Sequence, residues 1–415
     1  MAGPLDFEAE ELAQAAGAAP AIHGVDMDGA LVQYITSASS DPTVNDDAGD
    51  GYKVGLIWIR LDNNSRWQLD DSTVGAAVWT PLPATAAVEA LIAAAVAGAS
   101  GKGANLFLNG SLEVWQAATS KVSSGGGASH HTADMCTYRL YGTSAGTVSR
   151  QSFSTGQTDV AGNPKYFMRS IVTASTNIHR YAFHCADIRR FENKTIAVTF
   201  NARVASGTLA LTPKFVQGFG SGGSASVSTS SAEGDATATT TWQQFTRTFV
   251  MPSIAGKTIG SEDANAWFAL DAPSSTYTLD IAQIKVEEGD TFTGYAPEGY
   301  TRTAQNCMPF YQKSYRKGNF AGDTNYGGVE AFLLNPSGNT VHGIRYRTEM
   351  NTVPAVTIYN PSTGGSGTGR DSGAANPAFT ATNIAEGGCY AQTTTGNANA
   401  FCYFHYILDS RLDTH

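Results

Sequence analysis

The chain is short of charge: only 15% of its 415 residues are Asp, Glu, Lys or Arg. Acids outnumber bases, 36 to 26, for a formal net charge of −10. That balance gives no electrostatic footprint for nucleic acid or for an anionic membrane, since both are held by clustered Lys and Arg. No run approaches the roughly 18 apolar residues that a membrane helix needs, so membrane insertion is not expected. Cysteine is scarce too. Cys136, Cys185, Cys307, Cys389 and Cys402 are an odd number, widely spread and without a C-x-x-C pair, so buried reduced thiols are expected rather than a disulfide framework. The opening MAGPLDFEAEELAQAAG has no basic stretch and no apolar stretch of a secretory leader, so assembly in a cytosol is expected. Two catalytic signatures are missing as well: no H-E-x-x-H and no P-loop.

Small and turn-forming residues are abundant instead, with 44 Gly among many Ser and Thr. That composition suits short strands joined by turns, an all-β chain. At this length a single core is not expected, because cores stop growing near ~250–300 residues. The expected organisation is a tail at 1–40, a small β module at 41–83 and a helix with Gly hinge at 84–103. A jelly-roll sandwich at 104–298 and a second β-sandwich at 299–415 follow.

Residues 1–37 are weakly patterned; they read as a poorly ordered tail or as an anchoring end. Within 41–82, VGLIWIRL, RWQL and AAVWTPL read as strands with turns between them. Trp58, Trp67 and Trp79 fall one per strand and are expected to form a mini-core. ATAAVEALIAAAVAGA at 84–99 carries the apolar stripe Val88, Leu91, Ile92, Ala95 and Val96. It reads as one strand of a threefold bundle, hence a homotrimer, or as a connector packed on its own domain. In the next region Ile196, Val198, Phe200, Ala202 and Val204 alternate without a break, which predicts a strand over 195–204. In YTLDIAQIKVEEGD the alternation slips one position after Ile281, which predicts a β-bulge near Ile281 and Ala282. The Gly/Ser/Thr stretch at 218–241 reads as a mobile loop or an edge hairpin. Short strands with turn signals every 8–12 residues indicate a sandwich or jelly roll.

Several of these stretches resemble one protein class. NLFLNGSLEVWQ at 105–116, TADMCTYRL at 132–140 and VEEG followed by CMPFYQKSY at 307–315 are similar to a region of bacteriophage tail-fibre and receptor-binding proteins. Similar modules occur on the head spikes of gene transfer agents. The pattern DPTVNDD…GY.VG.IWI…AAVW resembles a small β motif near the attachment end of phage fibres. The resemblance implies a virion subunit whose N-terminal region docks to other virion proteins and whose β domains bind a host-surface glycan, capsule or lipopolysaccharide. It also implies a jelly roll like that of carbohydrate-binding modules, where an N-G-x-x-E turn and an Asp on the last strand share a structural Ca²⁺. The matching residues here are Asn109, Glu113 and Asp280, and ordinary turn residues are the alternative. Ca²⁺ takes 6–8 oxygen ligands, so three positions would not complete a shell.

Sugars are held by aromatic faces ringed with hydrogen-bonding groups. Trp267, in DANAWFALDA, is a candidate platform or a core residue. Tyr311, Tyr315, Tyr326, Tyr346 and Tyr359 are the candidates of the C-terminal region, with Arg345 and Arg347 on the strand face opposite Tyr346. His130 and His131 follow GGGAS, and a solvated loop is expected there, not a metal tract. A glycan depolymerase needs two positioned carboxylates. The consecutive Glu287 and Glu288 are expected to diverge, so binding without catalysis is the expectation.

Overall fold

The computed structural model describes residues 21–25, 31–38, 40–50, 52–60, 65–82, 103–123, 125–260, 264–335 and 340–412. They belong to two compact units, Met1–Gly103 and Ala104–His415. The helix expected over 84–99 and residues 1–20 of the tail expected over 1–40 lie outside the described residues, while 21–25 and 31–38 of that tail are strands.

In the first unit, β1 (Ala21–Val25) and β2 (Leu31–Ala38) pair antiparallel, and β2 runs parallel to β3 (Ile57–Arg60). Then β4 (Arg66–Asp71) and β5 (Val78–Pro81) complete a five-stranded sheet. Leu56, Trp58, Leu69 and Ala77 are its buried core, and Tyr52, Trp67 and Trp79 pack against them. The Trp58 and Trp79 rings meet edge-on at 5.6 Å. Their indole N–H groups donate to the carbonyls of Ser40 and Asp46, so each buried ring keeps its polar end satisfied. The three tryptophans are a mini-core, as their placement one per strand predicts.

The second unit begins with an antiparallel sandwich. Its strands are β6 (Ser120–Ser123), β7 (Ser129–His131), β8 (Cys136–Leu140), β9 (Ala145–Ser152), β10 (Tyr166–Ala174), β11 (His179–Ala186), β12 (Thr195–Val204) and β13 (Leu209–Gly218). They continue through β14 (Val227–Ser230), β15 (Ala236–Ala238), β16 (Gln243–Val250), β17 (Asn265–Ala272) and β18 (Tyr277–Glu288). One sheet has the order β16-β12-β18-β10-β9-β6 and the other β14-β13-β17-β11-β8-β7. Every pairing in both is antiparallel. The all-β jelly-roll expectation holds.

The unbroken alternation of β12 buries Ile196, Val198, Phe200, Ala202 and Val204 on one face. Phe200 reaches Phe268 of the facing sheet with ring centroids 5.5 Å apart. The bulge is real but sits two residues past the predicted place. The register jumps from Asn201↔Ala282 to Thr199↔Lys285, with Gln283 at φ +47°. An extra residue there lets Ile281 and Ile284 both point into the core while Lys285 and Glu287 take the outer face. The Gly/Ser/Thr stretch is an edge hairpin, β14 and β15 both pairing with β13. His130 and His131 lie on edge strand β7 opposite Tyr138 and Thr137, not in a loop.

Helix α1 (Tyr300–Cys307) follows. Beyond it come β19 (Tyr311–Lys313), β20 (Glu330–Leu333), β21 (Thr340–Arg345), β22 (Ala355–Tyr359), β23 (Arg370–Asp371), β24 (Thr380–Ala385), β25 (Gly388–Thr393) and β26 (Phe401–Asp409). β26 is the hub, pairing with β19, β20, β22 and β23, while β21, β25 and β24 form a separate three-stranded sheet. Leu334, Ile344, Ile358, Phe379, Phe404 and Leu408 fill a second core. Cys307, Phe310 and Leu412 instead join the sandwich core. Side chains from beyond residue 298 thus seat the C-terminal strands on the sandwich, and the two halves make one compact unit.

Candidate functional site

Along that seam runs a groove of about 590 Å³. The opening segment of the sandwich supplies Glu113, Trp115 and Gln116, inner strand β9 of the six-stranded sheet supplies Arg150, and Lys165 and Tyr166 stand at the start of its neighbour β10. α1 supplies Tyr300, Thr301, Ala304 and Gln305, and the chain after β19 supplies Tyr315, Lys317 and Phe320, with Arg347 from beyond β21.

The floor is held by hydrogen bonds that cross the seam. Gln116 donates to the Asp134 carboxylate at 2.6 Å and to the Tyr311 carbonyl at 3.1 Å. Lys313 donates back to the Gln116 carbonyl at 2.7 Å and to the Asn319 carbonyl at 2.6 Å. Burial pushes the Lys313 ammonium down to about 8, and burial also raises the Asp134 carboxyl, against the hydrogen bonds from Gln116. Beside the groove the His405 ring stacks on Tyr315 at 3.8 Å. Burial lowers the His405 pKa, so it is neutral at pH 7: Nε2 donates to the Asn325 carbonyl and Nδ1 accepts from the Ser314 hydroxyl.

The walls combine cations with aromatic rings. The Arg150 guanidinium lies 4.4 Å from the Tyr166 ring centroid, with Lys165 Nζ 5.0 Å from the same ring. Lys317 Nζ is 3.1 Å from the Tyr300 centroid, and Lys313 Nζ is 4.8 Å from that of Phe320. Each ring face holds a positive charge in place. Among the described lining residues Glu113 is the one carboxylate, against Arg150, Lys165, Lys313, Lys317 and Arg347.

The groove takes in some of the residues expected from the sequence and leaves out others. Tyr315 lines it with its ring largely covered, while Tyr311 is buried beneath it and contributes a carbonyl. Tyr359 is half-buried and meets Tyr315 edge-on. Tyr346 faces the second core, leaving Arg345 and Arg347 exposed on the opposite side, as alternation predicts. Tyr326 is the freely exposed member, at 51%, but it stands apart from the groove against Tyr403. Trp267 is no platform. At 1% exposure it packs with Ala182, Val216 and Ala269, with the His184 ring 5.9 Å away and Gly218 close against its indole.

The three residues expected to share Ca²⁺ are not brought together. Asn109 is buried, and its amide spans the turn, donating to the Val114 and Asp134 carbonyls and accepting from the Val114 N–H. Gly110 beside it touches β18 so closely that a Cβ would lie 2.5 Å from the Ile284 carbonyl. The N-G turn therefore fastens the opening segment to the last strand. Asp280, four residues up that strand, is taken by Arg169 and Arg203. Glu113 alone reaches the groove. No group of three or more His, Cys, Asp or Glu able to hold a metal occurs among the described residues.

Sequence reasoning missed Arg150, Lys165, Tyr166, Tyr300 and Lys317. Their signal was available in part: KY at 165–166 and SYRKGNF at 314–320 interleave cations with aromatics in a chain that has few cations.

No protein-family model matches this chain, and no curated protein does. Among solved structures, it is similar to the enzymatically active domain of tailspike protein 4 from bacteriophage CBA120, at 10% identity and TM-score 0.28. That match covers 45% of this chain and 21% of the other, so this chain spans about a fifth of its length. It is similar too to the CBM22-1 xylan-binding domain of Paenibacillus barcinonensis Xyn10C, at 8% identity and TM-score 0.27, covering 44% of this chain and 92% of that one. A third likeness is to a CBM61 module solved with β-1,4-galactotriose, at 9% identity and TM-score 0.26, covering 45% and 99%.

Proposed function

We propose that this chain is a glycan-binding, non-catalytic subunit of a virion fibre or spike, and that the seam groove is where the host-surface polysaccharide lies. The groove itself carries the reading. It is open and lined by aromatic rings, amides and fixed charges, the groups that hold saccharides. The virion part is supported by the resemblance of residues 41–82, 105–116 and 307–315 to phage fibre modules. In that reading the N-terminal region docks to other virion proteins, the chain works as a homotrimer, and the second unit is displayed outside the assembled particle, on a tail fibre or a head spike.

The rival within the same location is a polysaccharide depolymerase. Glycoside hydrolysis uses a pair of carboxylates about 5–10 Å apart across the scissile bond. Among the described residues the groove offers Glu113 alone, which favours binding. Glu287 and Glu288 do not supply a pair: Glu287 is buried against Thr293, while Glu288 pairs with Lys194.

One sample tests the proposal. Size-exclusion chromatography with light scattering should give a trimer, and that trimer should bind isolated host capsule or lipopolysaccharide without releasing reducing ends. Shortened polysaccharide would replace the adhesin with a depolymerase, and absence of binding to every host glycan would leave a structural spacer.

A further inference from the structure

We propose that the groove takes an anionic glycan, recognised by a carboxylate or phosphate on the sugar rather than by stacking of the sugar on bare rings. The inference rests on the glycan-binding reading above and narrows it. Its first support is charge. In a chain of formal charge −10, the described lining holds five cations and one carboxylate. Such an inversion of sign inside a concavity focuses the field on a ligand of opposite charge.

The second support is how those cations are held. Elsewhere in the unit several cations meet acids: Arg169 and Arg203 on Asp280, Arg180 and Lys214 on Asp271, Lys285 on Glu287, Arg411 on Asp409. In the groove, Arg150, Lys165, Lys317 and Arg347 make no ion pair among the described residues. Three of them are stationed by rings instead, Arg150 and Lys165 by Tyr166 and Lys317 by Tyr300. A ring face positions a cation without neutralising it, so the charge stays available to a ligand. The same contacts occupy the faces on which a neutral sugar would stack. Lys313 differs, because two backbone carbonyls tether it to the floor.

The test uses the full chain and calorimetry with four probes: polygalacturonate, a phosphomannan, neutral dextran and dextran sulfate. Polygalacturonate or the phosphomannan should bind and dextran should not; comparing the first two separates carboxylate from phosphate as the recognised group. Binding should weaken at least about tenfold when salt is raised well above physiological strength. The variant Lys165→Gln/Lys317→Gln should lose about tenfold or more in affinity with an unchanged melting temperature, since both side chains are exposed. Lys194→Gln, away from the groove, should bind as wild type. Dextran bound as tightly as the polyanions, without salt dependence, would overturn the anionic inference and leave the glycan-binding reading standing. Dextran sulfate bound equally by wild type and the double variant would overturn it too, as non-specific attraction. No binding to any of the four probes or to host capsule would sink the glycan-binding reading itself.

Discussion

Two regions of the second unit treat charge in opposite ways. On the outer face of the six-stranded sheet, charges are paired before any ligand arrives. Asp280 on β18 receives Arg169 from one neighbouring strand at 2.7 Å and Arg203 from the other at 3.0 Å. Lys285 and Glu287 lie 3.1 Å apart and share Thr293 as a hydrogen-bonding partner. In the seam groove the cations are held by rings and backbone, and their charge is unspent. The first arrangement fixes strand register, because cross-strand partners of opposite sign meet only when the ladder is correctly aligned. The second leaves attraction for something outside the chain.

The sharpest way to break the comparison is to remove the acid of the paired face. Asp280→Ala should cost about 2–4 kcal/mol in denaturant unfolding, because it strands two guanidinium groups; the cost sits at or below the range for fully buried pairs since each arginine side chain is 31% exposed. A loss under half of that would mean the arginines find water easily and the triad is not structural. Asp271 offers a smaller effect with a pH signature. Burial alone would raise its carboxyl, but hydrogen bonds from Arg180 and Lys214 outweigh burial and hold it below the ordinary value. A depressed carboxyl contributes stability that is present above its unfolded value of about 3.9 and is lost as pH falls through the folded value. Asp271→Asn should therefore cost about 1.5–3 kcal/mol at neutral pH, and the gap from wild type should close below about pH 4. A gap independent of pH would refute the linkage.

The remaining expectations concern charges whose loss should hardly touch stability. Arg150→Gln in the groove should change unfolding free energy by about 1 kcal/mol or less, since it gives up a partly exposed cation–ring contact and no ion pair. The same variant should weaken polyanion binding measurably, so stability and binding separate there while they do not at Asp280. Smallest of all is Lys194→Gln. Its pair with Glu288 is 45% and 37% exposed, and double-mutant cycles of such pairs typically give about 0.2–1 kcal/mol, so the loss should fall at the low end of that range.

The fold was largely legible because it is written in local periodicity. The alternation of Ile196 to Val204 specified a strand and its buried face, and the slip after Ile281 announced a bulge. The bulge was misplaced by two residues because Ala282 is small enough to sit on either face, so hydrophobicity alone did not fix the register. β25 carries a weak signal, since its inward Cys389, Ala391 and Thr393 differ too little in hydrophobicity from the residues between them to announce a strand. Trp267 was ambiguous for a similar reason. Alternation on β17 puts it opposite the main core, and only its packing with Ala182, Val216 and Ala269 makes that side another interior.

The groove was legible only in fragments, because its parts come from six stretches between residues 113 and 347. By itself the sequence determined the strands, the all-β class, the Trp mini-core and the inward side of each ladder, all consequences of a side-chain period of two. Tertiary structure decided what no local pattern encodes: that Asn109 and Asp280 face different partners, and that Tyr166 of the sandwich and Tyr300 and Lys317 of the C-terminal half line one groove. The physical reason is that ion pairs and ring contacts depend on distances across the fold, and those are set by how the two cores seat on each other through Cys307, Phe310 and Leu412.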